Sequence, residues 1–273
     1  MGLNHLLTSE KLNRIELQVH HYLLFCAPLL IFFIEKSLDL DITWFRAINL
    51  FGSYLPDYLW TWLSLLGNGW ACFALAFPLL VLAPRILFAG VISGLLTGIL
   101  SRILKLWINS PRPAGVLDQN TFHIIDHPLL HSSMPSGHTM TVFGLATVFY
   151  FATPKSKRLK YLALYLLAIG TALSRIAVGA HWPQDVLVGS SLGIVCGLGG
   201  IVLARKIPEK LLALKKFPSF ICILGSLVCF YILISKPLDF LINQSIQFVL
   251  AALIALTWLY ILTRKRRNED MNV

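Results

Sequence analysis

Three short segments of the chain hold the side chains equipped to do chemistry. The first runs from Lys105 to Pro113, with Arg112 set between two prolines. A lysine and an arginine there offer a phosphate a point charge and a planar fork. The second is Pro135-Ser136-Gly137-His138. Ser136 suits a helix N-cap, and the free N–H groups of the turn that follows form an anion site. Gly137 lets an oxyanion approach the backbone, and His138 then lies where it can exchange a proton. The third runs from Ser174-Arg175 to His181 and Asp185. Arg175 offers a further phosphate ligand. Pro183 fits the first turn of a helix, so Asp185, four residues after His181, can reach back to one imidazole nitrogen. That contact fixes the tautomer and leaves the other nitrogen as a nucleophile. Each segment alone has a plainer reading: two snorkelling cations, a capped helix with an exposed histidine, a capping His–Asp pair. Together they supply the charge neutralisation, nucleophile, orienting group and proton donor that phosphoryl transfer requires.

Apolar elements must hold these segments. The 273 residues are 56% hydrophobic and 13% charged, against about 25% charged in a soluble domain. Mean hydropathy is +0.72. The pattern predicts an all-α, polytopic transmembrane helix bundle with eight spans, near 20–36, 69–84, 86–107, 137–153, 160–178, 184–204, 218–235 and 246–263. Each approaches the ~20 residues that cross ~30 Å of hydrocarbon. The Trp- and Tyr-rich stretch 44–66 predicts a helix lying at the interface. The first apolar run lacks a cleavage site after it and is expected to stay as an anchor.

Loop charge orients the bundle. With both termini cytoplasmic and the helices alternating, most of the 23 basic residues fall inside, including Lys11, Arg14, Lys155, Lys157 and the run Arg264–Arg267. The three chemical segments then share the outer side. Residues 1–210 are expected to form a six-helix core with its site in 105–185. Residues 211–273 form an appended two-helix hairpin with a basic tail, in which only Lys236 and Asp239 carry any chemistry.

Other functions fit less well. The net charge is +10, but the basic residues sit in short clusters between apolar runs, so no nucleic-acid partner is expected. Cys26, Cys72, Cys196, Cys222 and Cys229 lie in apolar runs without metal-ligand spacing. His123, Asp126, His127 and His131 have some resemblance to a metal set but read better as a polar loop at the substrate entrance. No inverted repeat suggests a transporter.

The pattern K-x6-R-P, P-S-G-H and S-R-x5-H-x3-D is matched at every position, by Lys105, Arg112 and Pro113, by Pro135 to His138, and by Ser174, Arg175, His181 and Asp185. It resembles the signature of the type 2 phosphatidic-acid phosphatase superfamily, which also includes vanadium haloperoxidases. The resemblance implies that His181 attacks phosphorus to form a phosphohistidine and that Asp185 orients it. It implies that His138 protonates the leaving oxygen and then activates water. Lys105, Arg112, Arg175 and the Ser136–Gly137 backbone would hold the phosphate oxygens, with no metal and no cofactor. The implied partner is a phosphorylated membrane lipid in its bilayer: phosphatidate, phosphatidylglycerol phosphate, an isoprenoid diphosphate or lipid A. A bacterial inner membrane with a periplasmic site is expected. A lipid-to-lipid phosphotransferase and a phospholipid or anion transporter are the alternatives.

Overall fold

The computed structural model describes residues 19–154 and 158–270. Lys11, Arg14, Lys155 and Lys157 of the charge pattern lie outside the described residues. The helices in chain order are α1 (Val19–Ser37), α2 (Asp41–Ser53), α3 (Asp57–Leu65), α4 (Gly69–Ala76), α5 (Leu79–Leu82), α6 (Pro84–Ile108), α7 (Gly137–Ala152), α8 (Arg158–Tyr161), α9 (Ala163–Ala177), α10 (Pro183–Arg205), α11 (Phe217–Ser235) and α12 (Gln244–Asp270). No strand occurs among the described residues.

Six of the eight expected spans are found as single helices. The span 160–178 is divided at Leu162 into α8 and α9, and 69–84 is broken into α4 and α5. Pro78 brings no N–H to continue α4, and the Phe77 N–H closes its end with a long bond, 3.4 Å, to the Ala74 carbonyl three residues back. Ala83, held before Pro84, leaves the helical region at φ −157°, ψ 65°. The expected interfacial helix 44–66 is likewise two helices, α2 and α3, separated by an extended Pro56. Among the described residues, five helical stretches are long and apolar enough to cross a membrane: Pro84–Gly115, Arg158–Ala177, Pro183–Arg205, Phe217–Ser235 and Leu241–Arg264. Their outer faces carry exposed apolar side chains, such as Leu95, Ile99, Ile103 and Leu106 of α6. A water-soluble surface would not carry so continuous an apolar cover; this is an integral membrane protein.

The centre of the bundle is α10, packed against α6, α7 and α1. Close approach there depends on glycine. A Cβ added at Gly193 would meet the carbonyl oxygen of Met140 on α7, and one at Gly144 would meet Ser93 and the Gly193 carbonyl. Gly193→Ala must therefore push α7 from α10. We expect it to cost roughly 1–3 kcal/mol, the usual range for overpacking, read as a lower thermal unfolding midpoint in detergent. On one flank α9 packs against α2, α3 and α7. On the other, α11 and α12 pair with each other and lean on α4. The C-terminal ends of α6, α9 and α11 and the N-terminal ends of α7, α10 and α12 meet at one end of the bundle, where the site lies.

Candidate active site

Local backbone chemistry places each segment. Asn109 ends α6 in the left-handed conformation at φ 43°, which asparagine tolerates at a helix C-terminus. The chain turns back there, and the Arg112 N–H bonds the Leu130 carbonyl at 2.9 Å. Lys105 Nζ donates to the carbonyls of Ser132 and Ser133. Arg112 Nε donates to the His131 carbonyl at 2.8 Å and Nη1 to the Ala180 carbonyl at 2.9 Å. Both cations are thus fixed by backbone oxygens with donors to spare.

Ser136 caps α7 as expected, accepting from the Thr139 N–H. Its own N–H donates to the Asp185 carbonyl at 3.0 Å, which locks the start of α7 to the start of α10. Gly137 has only the Ser101 hydroxyl near where a Cβ would stand, so the first turn of α7 stays open to an anion.

The third segment forms the buried heart of the site. His181 and Asp185 side chains are 3% and 1% exposed, and His181 Nδ1 stands 3.2 Å from Asp185 Oδ2. That oxygen also accepts from the Trp182 N–H at 2.8 Å and from the Ser133 hydroxyl. An acceptor held by these donors is a carboxylate, so His181 carries its proton on Nδ1 and presents a lone pair on Nε2. Arg112 Nη1 lies 3.3 Å from that Nε2. Burial first, then the charges of Arg112, Arg175 and Lys105, hold the His181 pKa well below the ordinary histidine value. The imidazole is therefore neutral at neutral pH, as a nucleophile must be.

Arg175 is almost wholly buried at the end of α9. It donates to the Ser64 hydroxyl and lies 5.8 Å over the Phe240 ring. Its Nε has no partner among the described residues. A buried donor left unpaired costs about 1–3 kcal/mol, and an anion in the pocket would remove that cost. His138 Nε2 stands 2.9 Å from Asp239 Oδ2. Burial alone would raise the Asp239 pKa, but the charge and hydrogen bond of His138, with Arg175 and Asn68, outweigh it and hold the carboxyl well below the usual range.

The structure thus brings Lys105, Arg112, Ser136, Gly137, His138, Arg175, His181 and Asp185 to one end of the bundle. The loop histidines take separate partners: His123 pairs with Asp57 and His127 with Asp126. Sequence reasoning missed Ser133, Ser64 and Phe240 and gave Asp239 no role. Ser133 sits two residues before Pro135, and its neighbourhood was the available signal. Ser64 and Phe240 carried none, because they arrive from distant helices.

Residues 83–209 match the PAP2 superfamily. The crystal structure of Aquifex aeolicus LpxE is similar, at 31% identity and a TM-score of 0.53, over 60% of this chain and 95% of that one. A lipid A 1-phosphatase of Porphyromonas gingivalis is 41% identical over 66 residues, 24% of this chain and 15% of that protein. Phosphatidylglycerophosphatase B of Bacillus subtilis is 32% identical over 107 residues, 36% of this chain and 47% of that protein. The chain thus spans less than half the length of these two curated relatives. Every expected site residue from Lys105 to Asp185 falls within the matched stretch, and the chain belongs to the PAP2 superfamily.

Proposed function

We propose that the protein is a lipid phosphatase that hydrolyses a phosphate or diphosphate monoester of a membrane lipid through a phosphohistidine. The observation that carries this reading is the buried His181–Asp185 pair with its free nitrogen facing Arg112. On this reading 1–210 is the catalytic core and 211–273 a hairpin added to it.

The substrate phosphoryl group sits among Lys105, Arg112, Arg175 and the first turn of α7, which neutralise its oxygens. His181 Nε2 attacks phosphorus as the bond to the lipid oxygen breaks, and His138 gives that oxygen a proton. Asp185 stabilises the positive charge that develops on the His181 ring. His138, now neutral, takes a proton from water. The water oxygen bonds to phosphorus, the P–N bond breaks, and inorganic phosphate leaves with His181 restored. The cations do the neutralising that a metal does elsewhere, so the reaction is metal-independent.

The similar proteins named lipid A 1-phosphatase and phosphatidylglycerophosphatase B favour a lipid phosphate as substrate. The loop charges favour a periplasmic site in a bacterial inner membrane, with both termini cytoplasmic. Phosphate release should be measured with purified protein in detergent and EDTA, across phosphatidate, phosphatidylglycerol phosphate, undecaprenyl diphosphate and lipid A. We expect release from at least one lipid, undiminished by EDTA and inhibited by vanadate, which mimics five-coordinate phosphorus. Loss in EDTA with recovery on adding a divalent ion would sink the metal-free mechanism. Phosphate moving only to a second lipid would mark a phosphotransferase.

A further inference from the structure

His138 has a carboxylate partner that comes from outside the three segments. Asp239 lies in the loop joining α11 to α12, 101 residues farther along the chain. Its Oδ2 meets His138 Nε2 at 2.9 Å and accepts from Asn68 Nδ2 at 2.9 Å. Both side chains of the His138–Asp239 pair are 21% exposed, so the pair borders the pocket while His181–Asp185 lies beneath it. Asp239 also falls beyond residues 83–209, so superfamily membership does not supply it.

The loop is held to this position from several directions. Asp239 adopts φ 56°, a left-handed conformation uncommon outside glycine. Gln247, fully buried, accepts from the Leu238 N–H and donates to the carbonyls of Leu233 and Lys236. Asn243 donates to the Thr61 carbonyl. Phe240 packs with Trp60, Ala177, Val178 and Ala180, beneath Arg175. A backbone kept in a sparsely populated conformation by this many contacts implies a task for the residue it presents.

We propose that Asp239 is the positioning residue of His138, so that the α11–α12 hairpin completes the active site. The inference rests on the reading of His138 as proton donor. A carboxylate on Nε2 stops the ring from rotating and leaves Nδ1 to pass the proton to the leaving oxygen. It also favours the imidazolium against burial, the largest opposing effect, and against Arg175, Arg112 and His181, the other titratable or charged groups around it. The site then holds two histidine–carboxylate pairs with divided work. Asp185 serves the nucleophile, and Asp239 serves the acid.

The test compares the parent with Asp239→Ala, Asp239→Asn and Lys236→Ala on two esters. One is a lipid alkyl phosphate, whose leaving oxygen needs a proton. The other is p-nitrophenyl phosphate, whose leaving phenolate does not. We expect Asp239→Ala to lower kcat on the alkyl ester by about 10–100-fold, part of the contribution of a general acid. KM and vanadate inhibition should change little, and the aryl ester should be cleaved near the parental rate. The basic limb of the kcat profile should move to lower pH in both Asp239 variants, because an imidazolium without its carboxylate loses its proton more easily. Asp239→Asn keeps an acceptor for Nε2 and should fall less in rate. Lys236→Ala should match the parent. Equal losses on both esters with an unmoved basic limb would reduce Asp239 to a fold contact. A lower KM or faster turnover would mean that its carboxylate only stands in for an absent phosphate. A folded parent inactive on both esters would overturn the phosphatase reading itself, and would do so before any variant is made.

Discussion

His181→Ala should abolish turnover, lowering kcat on the order of 10⁴–10⁶-fold, the range seen when a nucleophile is removed from a covalent mechanism. The alanine leaves the three cations and the first turn of α7 in place, so the variant should still bind lipid phosphate and vanadate. Phosphate release under saturating substrate, beside vanadate protection from thermal unfolding, separates the two effects. Lost turnover with retained binding is the expected result. Turnover within tenfold of the parent would remove His181 from the chemistry. Asp185→Asn offers a finer probe. Its amide can donate where the carboxylate accepts, which favours the wrong His181 tautomer, and a loss of about 10⁴-fold has a precedent in a serine-protease triad. Single-turnover quenching in base should trap a phosphoenzyme in the parent that acid destroys, as a P–N bond requires, and none in His181→Ala.

Arg175→Ala should be nearly as severe, with a loss of about 10³-fold or more in kcat, as for other arginines that stabilise a transferring phosphoryl group. Its guanidinium is pinned by Ser64 and backed by Phe240, with Nε unpartnered among the described residues. That arrangement aims a donor at an anion without reorganisation during the reaction. Arg175→Lys should not restore activity, because a lysine cannot span the same donors in one plane. The pH profile gives an independent readout. Burial and the neighbouring cations lower the His181 pKa, so the acid limb of kcat/KM in the parent should lie below the ordinary histidine value. Removing Arg112 or Arg175 takes away a positive charge, raises that pKa and moves the acid limb to higher pH. An unmoved limb in both variants would show that His181 is not the group titrating.

Much of this site was legible because its parts repeat short-range physics. His181 and Asp185 lie one helical turn apart across a proline start, so their contact follows from α-helix geometry alone. Ser136 caps α7 for the same local reason. The shared side of the three segments followed from hydropathy and the bias of basic residues, since the bilayer allows few alternatives. The failures were local too. The stretch 69–84 has the hydropathy of a span, but Pro78 divides it and Pro84 ends it, and a window average is blind to a missing N–H.

What the sequence by itself determined is therefore the all-helical bundle, the end at which the three segments gather and the residues Lys105 to Asp185 to which we assign the chemistry. Only the tertiary structure decided which distant groups complete the site. Ser133 joins Asp185 through the path of a loop, Ser64 meets Arg175 where α3 packs on α9, and Asp239 reaches His138 because α11 and α12 lean on α4. Such pairings have no period and no spacing to read. Side chains from separate helices meet only through the packing of whole faces, and that packing is set by the shape of every helix between them.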